Sequence, residues 1–203
     1  MADMTLTPPF TETMIRNLHA GDRVTLQGTL YGIRDATLIH LFDRDRRTRF
    51  DLSGQAVIHT APNVSRVPVG PAHPAGYAPV SVGTTTSQRM ERFTRPLLQR
   101  SGVRAIVGKS GLGADSLAAF RIFGAVYLAM VGGAAALETT WIERIDDVDL
   151  DDLNPESLWK FAVRDFGPLL VTMDTHGNDL HEAVRARARR NRTAVLAGLG
   201  LAS

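Results

Sequence analysis

The sequence predicts an α/β fold, and three observations carry that prediction. Short β-branched runs alternate with helix-periodic segments between residues 55 and 135. Strand-rich stretches flank this region on both sides, which argues for a sheet that is not a plain Rossmann layer. Small, hydroxyl-rich or glycine-rich turns follow several of the strands, where α/β proteins place their ligands.

The elements follow in order. The opening dozen residues read as an extended arm. "GDRVTLQGTLYGIR" (21–34) is a strand pair or one long bent strand, with Val24, Leu26, Leu30 and Ile33 as apolar positions and Gly28 and Gly32 as bulge or turn sites. A helix starts at Asp35 and runs through 47, with apolar residues at 38, 39, 41 and 42. "QAVIHTA" (55–61) is a buried strand, and the proline- and glycine-rich 62–79 is a loop long enough to be functional. "APVSV" is a strand that ends at Gly83 and hands over to a helix marked by Met90, Phe93, Leu97 and Leu98. "VRAIVG" (103–108) is a strand, and 115–124 a helix capped by Asp115 or Ser116 and closed by Gly124. "AVYLAM" is a strand, "GGAAALETTWI" a helix, and "ERIDDVDL" an acidic edge strand. "LWKFAVRDF" and "PLLVTMD" are two strands, and after the turn "THGND" a last helix starts near Asp179.

A chain of 203 residues with 44% hydrophobic and 22% charged residues is a globular domain with a real core, not a disordered or fibrous one. The longest apolar run, 125–137, is too short to span a bilayer, and "MADMTLTPPF" lacks the basic and apolar regions of an export signal, so a cytoplasmic protein is expected. Cysteine is absent, which excludes disulfides, thiolate nucleophiles and any cysteine-ligated metal held by this chain alone. Net charge is +2, with five arginines between 185 and 192. No aromatic residue is interleaved with them, so the stripe reads as a solvated face or a subunit contact, and nucleic-acid binding is not expected.

The chemistry concentrates at the strand ends. Thr84, Thr85 and Thr86 precede the helix that carries Arg89. Thr85 and Gln88 fit a T-x-x-Q capping box, whose alternative readings are a plain helix cap or an anion site at a positive helix end. "VGKSGLG" resembles the end of a phosphate-binding loop, but Gly102 stands one residue too far upstream and nucleotide binding is rejected. What remains is Lys109, one of only two lysines, at a strand end; it is either a carboxylate anchor or a solvated side chain. Arg34 and Asp35 sit at a third strand-to-helix switch, as part of a binding pocket or as a helix-terminal ion pair. Together Arg34, Thr85, Arg89 and Lys109 suit a small dicarboxylate, since two carboxylates need two cationic anchors. Asp174, His176 and Asp179 read as turn residues, not as a metal site.

"GDRVTLQGTLYGIRDA", "VSVGTTTSQRMERF", "GVRAIVGKSGLG" and "LWKFAVRDFGPLLVTMDTHGNDL" resemble, in order and spacing, the β subunit of class I fumarase and L(+)-tartrate dehydratase, the C-terminal domain of the single-chain enzymes. "FGPLLVTMDTHGN" looks closer to the tartrate branch. The resemblance runs from Gly21 to His181 and divides the chain into an arm (1–20), the fumarase-type domain (21–181) and a basic C-terminal helix (182–203). It implies a swivelling β/β/α domain that closes over an α subunit carrying a 4Fe-4S cluster, whose cysteine-free iron is a Lewis acid. Arg34, Asp35, Arg89 and Lys109 would then bind substrate, and Thr85 would be the base. The implied assembly is a heterotetramer or a homodimer of β chains. The family's G-P-T-T is here Gly83-Thr84-Thr85-Thr86; its R-D-x-x-H becomes Arg34-Asp35-Ala36-Thr37-Leu38; Ala61 and Ser110 replace glycines. These changes imply a shifted substrate or reduced activity, and a catalytically silent, carboxylate-binding or scaffolding paralogue is the alternative.

Overall fold

The structure, a computed structural model, describes residues 2–201. Its strands are β1 (Asp3–Leu6), β2 (Arg23–Ile33), β3 (Ala56–His59), β4 (Asn63–Arg66), β5 (Tyr77–Ser81), β6 (Ala105–Gly108), β7 (Val126–Ala129), β8 (Ile142–Asp149) and β9 (Leu158–Met173). The helices are α1 (Glu12–Arg16), α2 (Asp35–Phe42), α3 (Glu91–Ser101), α4 (Ala114–Phe123), α5 (Ala135–Thr140) and α6 (Leu180–Gly198).

Seven strands form one sheet in the order β1-β2-β3-β6-β7-β9-β8. β2, β3, β6 and β7 run parallel. β9 is antiparallel to both β7 and β2, which closes the sheet into a small barrel, an α/β architecture. Side chains of successive residues point to opposite faces of a strand, and both faces are buried here. In β3, Ala56 and Ile58 join the barrel interior with Leu26, Trp159 and Phe161. Val57, Ile106 and Tyr127 face the other way, onto Leu38 of α2, Phe93 and Leu97 of α3 and Phe120 of α4. Each such buried apolar side chain contributes about 2 kcal/mol of transfer free energy, so the helices are held to the sheet by this layer.

Several elements differ from the sequence-based expectation. The N-terminal segment supplies β1, an edge strand in parallel register with β2, and the buried Phe10, Ile15 and Leu18. α2 stops at Phe42 instead of reaching 47. The long loop contains an unexpected strand, β4, which forms an antiparallel hairpin with β5, the strand expected from "APVSV". The two expected C-terminal strands are one, β9, because pairing with β2 continues through Phe166 and Leu169. α4 is closed by Gly124 in the left-handed region, as expected, but its start is not capped by Asp115 or Ser116. The Glu91 carboxylate does that work, accepting from the backbone N–H of Gly113 (2.6 Å) and Ser116 (3.0 Å). No described helix is long and apolar enough to cross a membrane.

Candidate active site

Because β2, β3 and β6 are parallel neighbours, their C-terminal ends open on one edge, and the residues that follow them are brought side by side. Arg34 follows β2, Thr60 follows β3 and Lys109 follows β6. The threonine segment is laid between the last two: Thr84 bridges to Thr60, Thr86 to Lys109, and the Thr85 N–H donates to the His59 carbonyl at 2.7 Å.

Arg89 Nη2 donates to Thr85 Oγ1 at 3.0 Å and to Asp35 Oδ2 at 3.2 Å. The same Asp35 oxygen accepts from Arg34 Nε at 3.3 Å. Arg34, Asp35, Thr85 and Arg89 therefore form one contiguous cluster, with Arg89 half exposed. Lys109 joins it through the backbone, and among the described residues its ammonium makes no hydrogen bond or ion pair. Both guanidiniums already face an acid, so an incoming carboxylate extends a partly exposed ion-pair network whose existing pairs are worth little individually. The concavity of about 440 Å³ lined by Phe50, Leu52, Arg100 and Gly102 contains none of these residues.

The expected capping box does not form. Arg89 belongs to a one-turn 3₁₀ helix, 87–90, that leads into α3; its N-cap is Thr86, whose hydroxyl makes no capping bond. Thr85 lies one residue before that N-cap, and its hydroxyl is spent on Arg89 instead.

Three polar groups behind this rim were not singled out as site residues by the sequence reading. Glu156 Oε1 pairs with Arg34 Nε at 3.3 Å while its Oε2 accepts from the Ala36 N–H at 2.7 Å, so one carboxylate caps α2 and anchors the arginine. His59 is fully buried, with Nδ1 2.9 Å from Ser87 Oγ, which also accepts from Tyr127 OH at 2.8 Å. Burial holds the His59 imidazole down to about 4, only partly offset by the negative charge of Asp35. Glu138 is 1% exposed, and its Oε2 accepts from the Thr84 N–H at 2.9 Å. Burial pushes its carboxyl above the ordinary range, against the Thr84 N–H and the Lys109 charge, which lower it. No spacing or motif distinguishes these three in the sequence. Among the described residues no group of three histidine, aspartate or glutamate side chains could hold a metal ion.

The family model described as Fumarase C-terminus matches residues 1–184. The L(+)-tartrate dehydratase subunit beta of Escherichia coli (strain K12) is 38% identical over 176 residues, 86% of this chain and 85% of the relative. The same-named subunit of Shigella boydii is 37% identical over 176 residues, with the same coverage. A Geobacillus stearothermophilus protein bearing the name of a class I fumarate hydratase is 38% identical over 182 residues, 89% of this chain but 34% of that longer protein.

Proposed function

The chain belongs to the Fumarase C-terminus family, and from that premise we propose that it is the β subunit of an iron-sulfur-dependent hydro-lyase of the L(+)-tartrate dehydratase or fumarate hydratase kind. In this reading it works in the cytoplasm on a small hydroxy-dicarboxylate, as a swivelling domain that closes over an α subunit. Support comes from relatives named as beta subunits that match it over most of their length. With no cysteine and no grouped ligands among the described residues, a 4Fe-4S cluster does not fit on this chain, and the reading assigns it to the α subunit. Bound there, the cluster supplies a Lewis acid for the substrate hydroxyl.

This chain's residues hold the substrate and move a proton. Arg34, Arg89 and Lys109 take the two carboxylates, Arg through its planar fork and Lys as a point charge. Asp35, between the two guanidiniums, fixes their separation. Thr85 Oγ1 is the base. Its alkoxide form is stabilised by the Arg89 donor at 3.0 Å, and not by a helix cap. In dehydration Oγ1 takes the carbon-bound proton, that C–H electron pair becomes the second bond of the alkene, and the neighbouring hydroxyl leaves with its bonding pair and takes a proton from solvent to become water, while Oγ1 returns its proton to solvent.

The observation that carries the reading is the Arg89 bridge from Thr85 to Asp35. The test is anaerobic co-expression with an α-type subunit, followed by assay of L(+)-tartrate and malate dehydration and fumarate hydration. Turnover that needs both chains is expected; a fully assembled complex with intact cluster and no turnover on any of these would make the chain a silent carboxylate-binding module.

A further inference from the structure

α5 and the loop before it touch both halves of the site, although none of their residues belongs to it. On one side, Thr84 N–H donates to Glu138 Oε2 at 2.9 Å and Val82 N–H to Thr139 Oγ1 at 2.8 Å, so two consecutive α5 residues grip the chain on either side of Gly83. A Cβ at Gly83 would come within 2.6 Å of the Ala135 Cβ, so this close seating requires glycine. On the other side, a Cβ at Gly132 would come within 3.2 Å of Lys109 Cδ, which places the loop against the lysine stem. Burying a carboxylate behind the site is costly unless it is bonded or faces a cation. Glu138 has one such bond and the Lys109 charge near it, and its Oε1 has no hydrogen-bond partner. A neutral residue would fill the space at lower cost, so the carboxylate has a task beyond filling it.

We propose that Glu138 is a positioning residue for the hydro-lyase site: from α5 its carboxylate fixes the Thr84 amide, and with it the place of the Thr85 hydroxyl beside Arg89. This rests on the reading of Thr85 as the base. A base displaced by a fraction of a bond length loses its alignment with the C–H bond, and the loss falls on the chemical step more than on substrate binding.

The experiment pairs Glu138→Ala with Glu138→Gln and reads two quantities. In the full-length chain, amide hydrogen exchange at Thr84 should quicken by about tenfold or more in Glu138→Ala, while Ile106 and Val107 in β6 keep their rates. In the α-containing complex, kcat should fall by about tenfold or more with KM within about threefold, and Glu138→Gln, which keeps an acceptor for the Thr84 N–H, should recover most of both. Unchanged exchange at Thr84, a change confined to KM, or a Gln variant as impaired as the Ala variant would overturn the proposal. A wild-type complex without turnover would sink the hydro-lyase reading instead, and the exchange data would still decide whether Glu138 holds Thr84.

Discussion

Replacing Gly108 with alanine places a methyl group where the structure has no room for one. Its Cβ would overlap Ser87 Oγ and sit 2.6 Å from Tyr127 OH. Overpacking of this kind costs about 1–3 kcal/mol, because the surrounding side chains are close-packed and must leave their rotamers. Displacing Ser87 also breaks its bonds to His59 (2.9 Å) and Tyr127 (2.8 Å). Leaving one of those buried groups unmet adds about 1 kcal/mol or more, for a total of about 3 kcal/mol. In a chain of this size that corresponds to a fall of about 6–12 °C in Tm. Calorimetry and urea unfolding of Gly108→Ala measure it, and Ser87→Gly made in the same background should return about 1 kcal/mol or more by removing the Oγ. A Gly108→Ala loss below about 0.5 kcal/mol, or no coupling between the two substitutions, would refute the packing argument.

Two further outcomes follow from the same geometry. Burial holds His59 near 4 against its ordinary 6.5, so between those values the unfolded chain binds a proton that the folded chain refuses. Stability then falls as pH falls through that window, by up to about 3 kcal/mol, and His59→Gln should flatten the slope there while leaving the carboxylate-driven loss at lower pH, where Asp22 and Asp174 titrate; identical slopes would contradict this. α6 buries none of its residues, so deleting the chain from Arg185 onward should change unfolding free energy by less than about 1 kcal/mol in urea titration.

Much of the α/β core was legible because β3, β6 and β7 are short apolar runs whose neighbours are helix-periodic, a signal local in sequence. That Arg34 and Lys109 share one edge was legible because β2 and β6 are strands of a parallel sheet, but Thr85 and Arg89 follow β5, which lies outside that sheet, and the Thr84–Thr60 and Thr86–Lys109 bridges, not a neighbouring strand, bring them there. Barrel closure was not, since β2 and β9 meet across more than a hundred residues and nothing near Val24 or Leu169 announces that partner. β5 was expected as a strand from "APVSV", but its partner β4 was read as loop because it is short and mostly exposed. The capping box failed because the 3₁₀ turn starts at Ser87 with Thr86 as its N-cap, one residue later than the motif needs, and the Thr85 hydroxyl bonds Arg89 four residues on. Glu138 and Leu137 exchange their usual places: the acid is buried and the leucine 54% exposed, an inversion no periodicity reveals.

The most direct test of the central claim is the kcat of Thr85→Ala in the assembled, cluster-loaded complex, with Thr85→Ser alongside. If the hydroxyl takes the proton, alanine lowers kcat by about a hundredfold or more with KM little changed, and serine restores most of it. Turnover by the alanine variant at the wild-type rate would remove Thr85 from the chemistry and contradict the account.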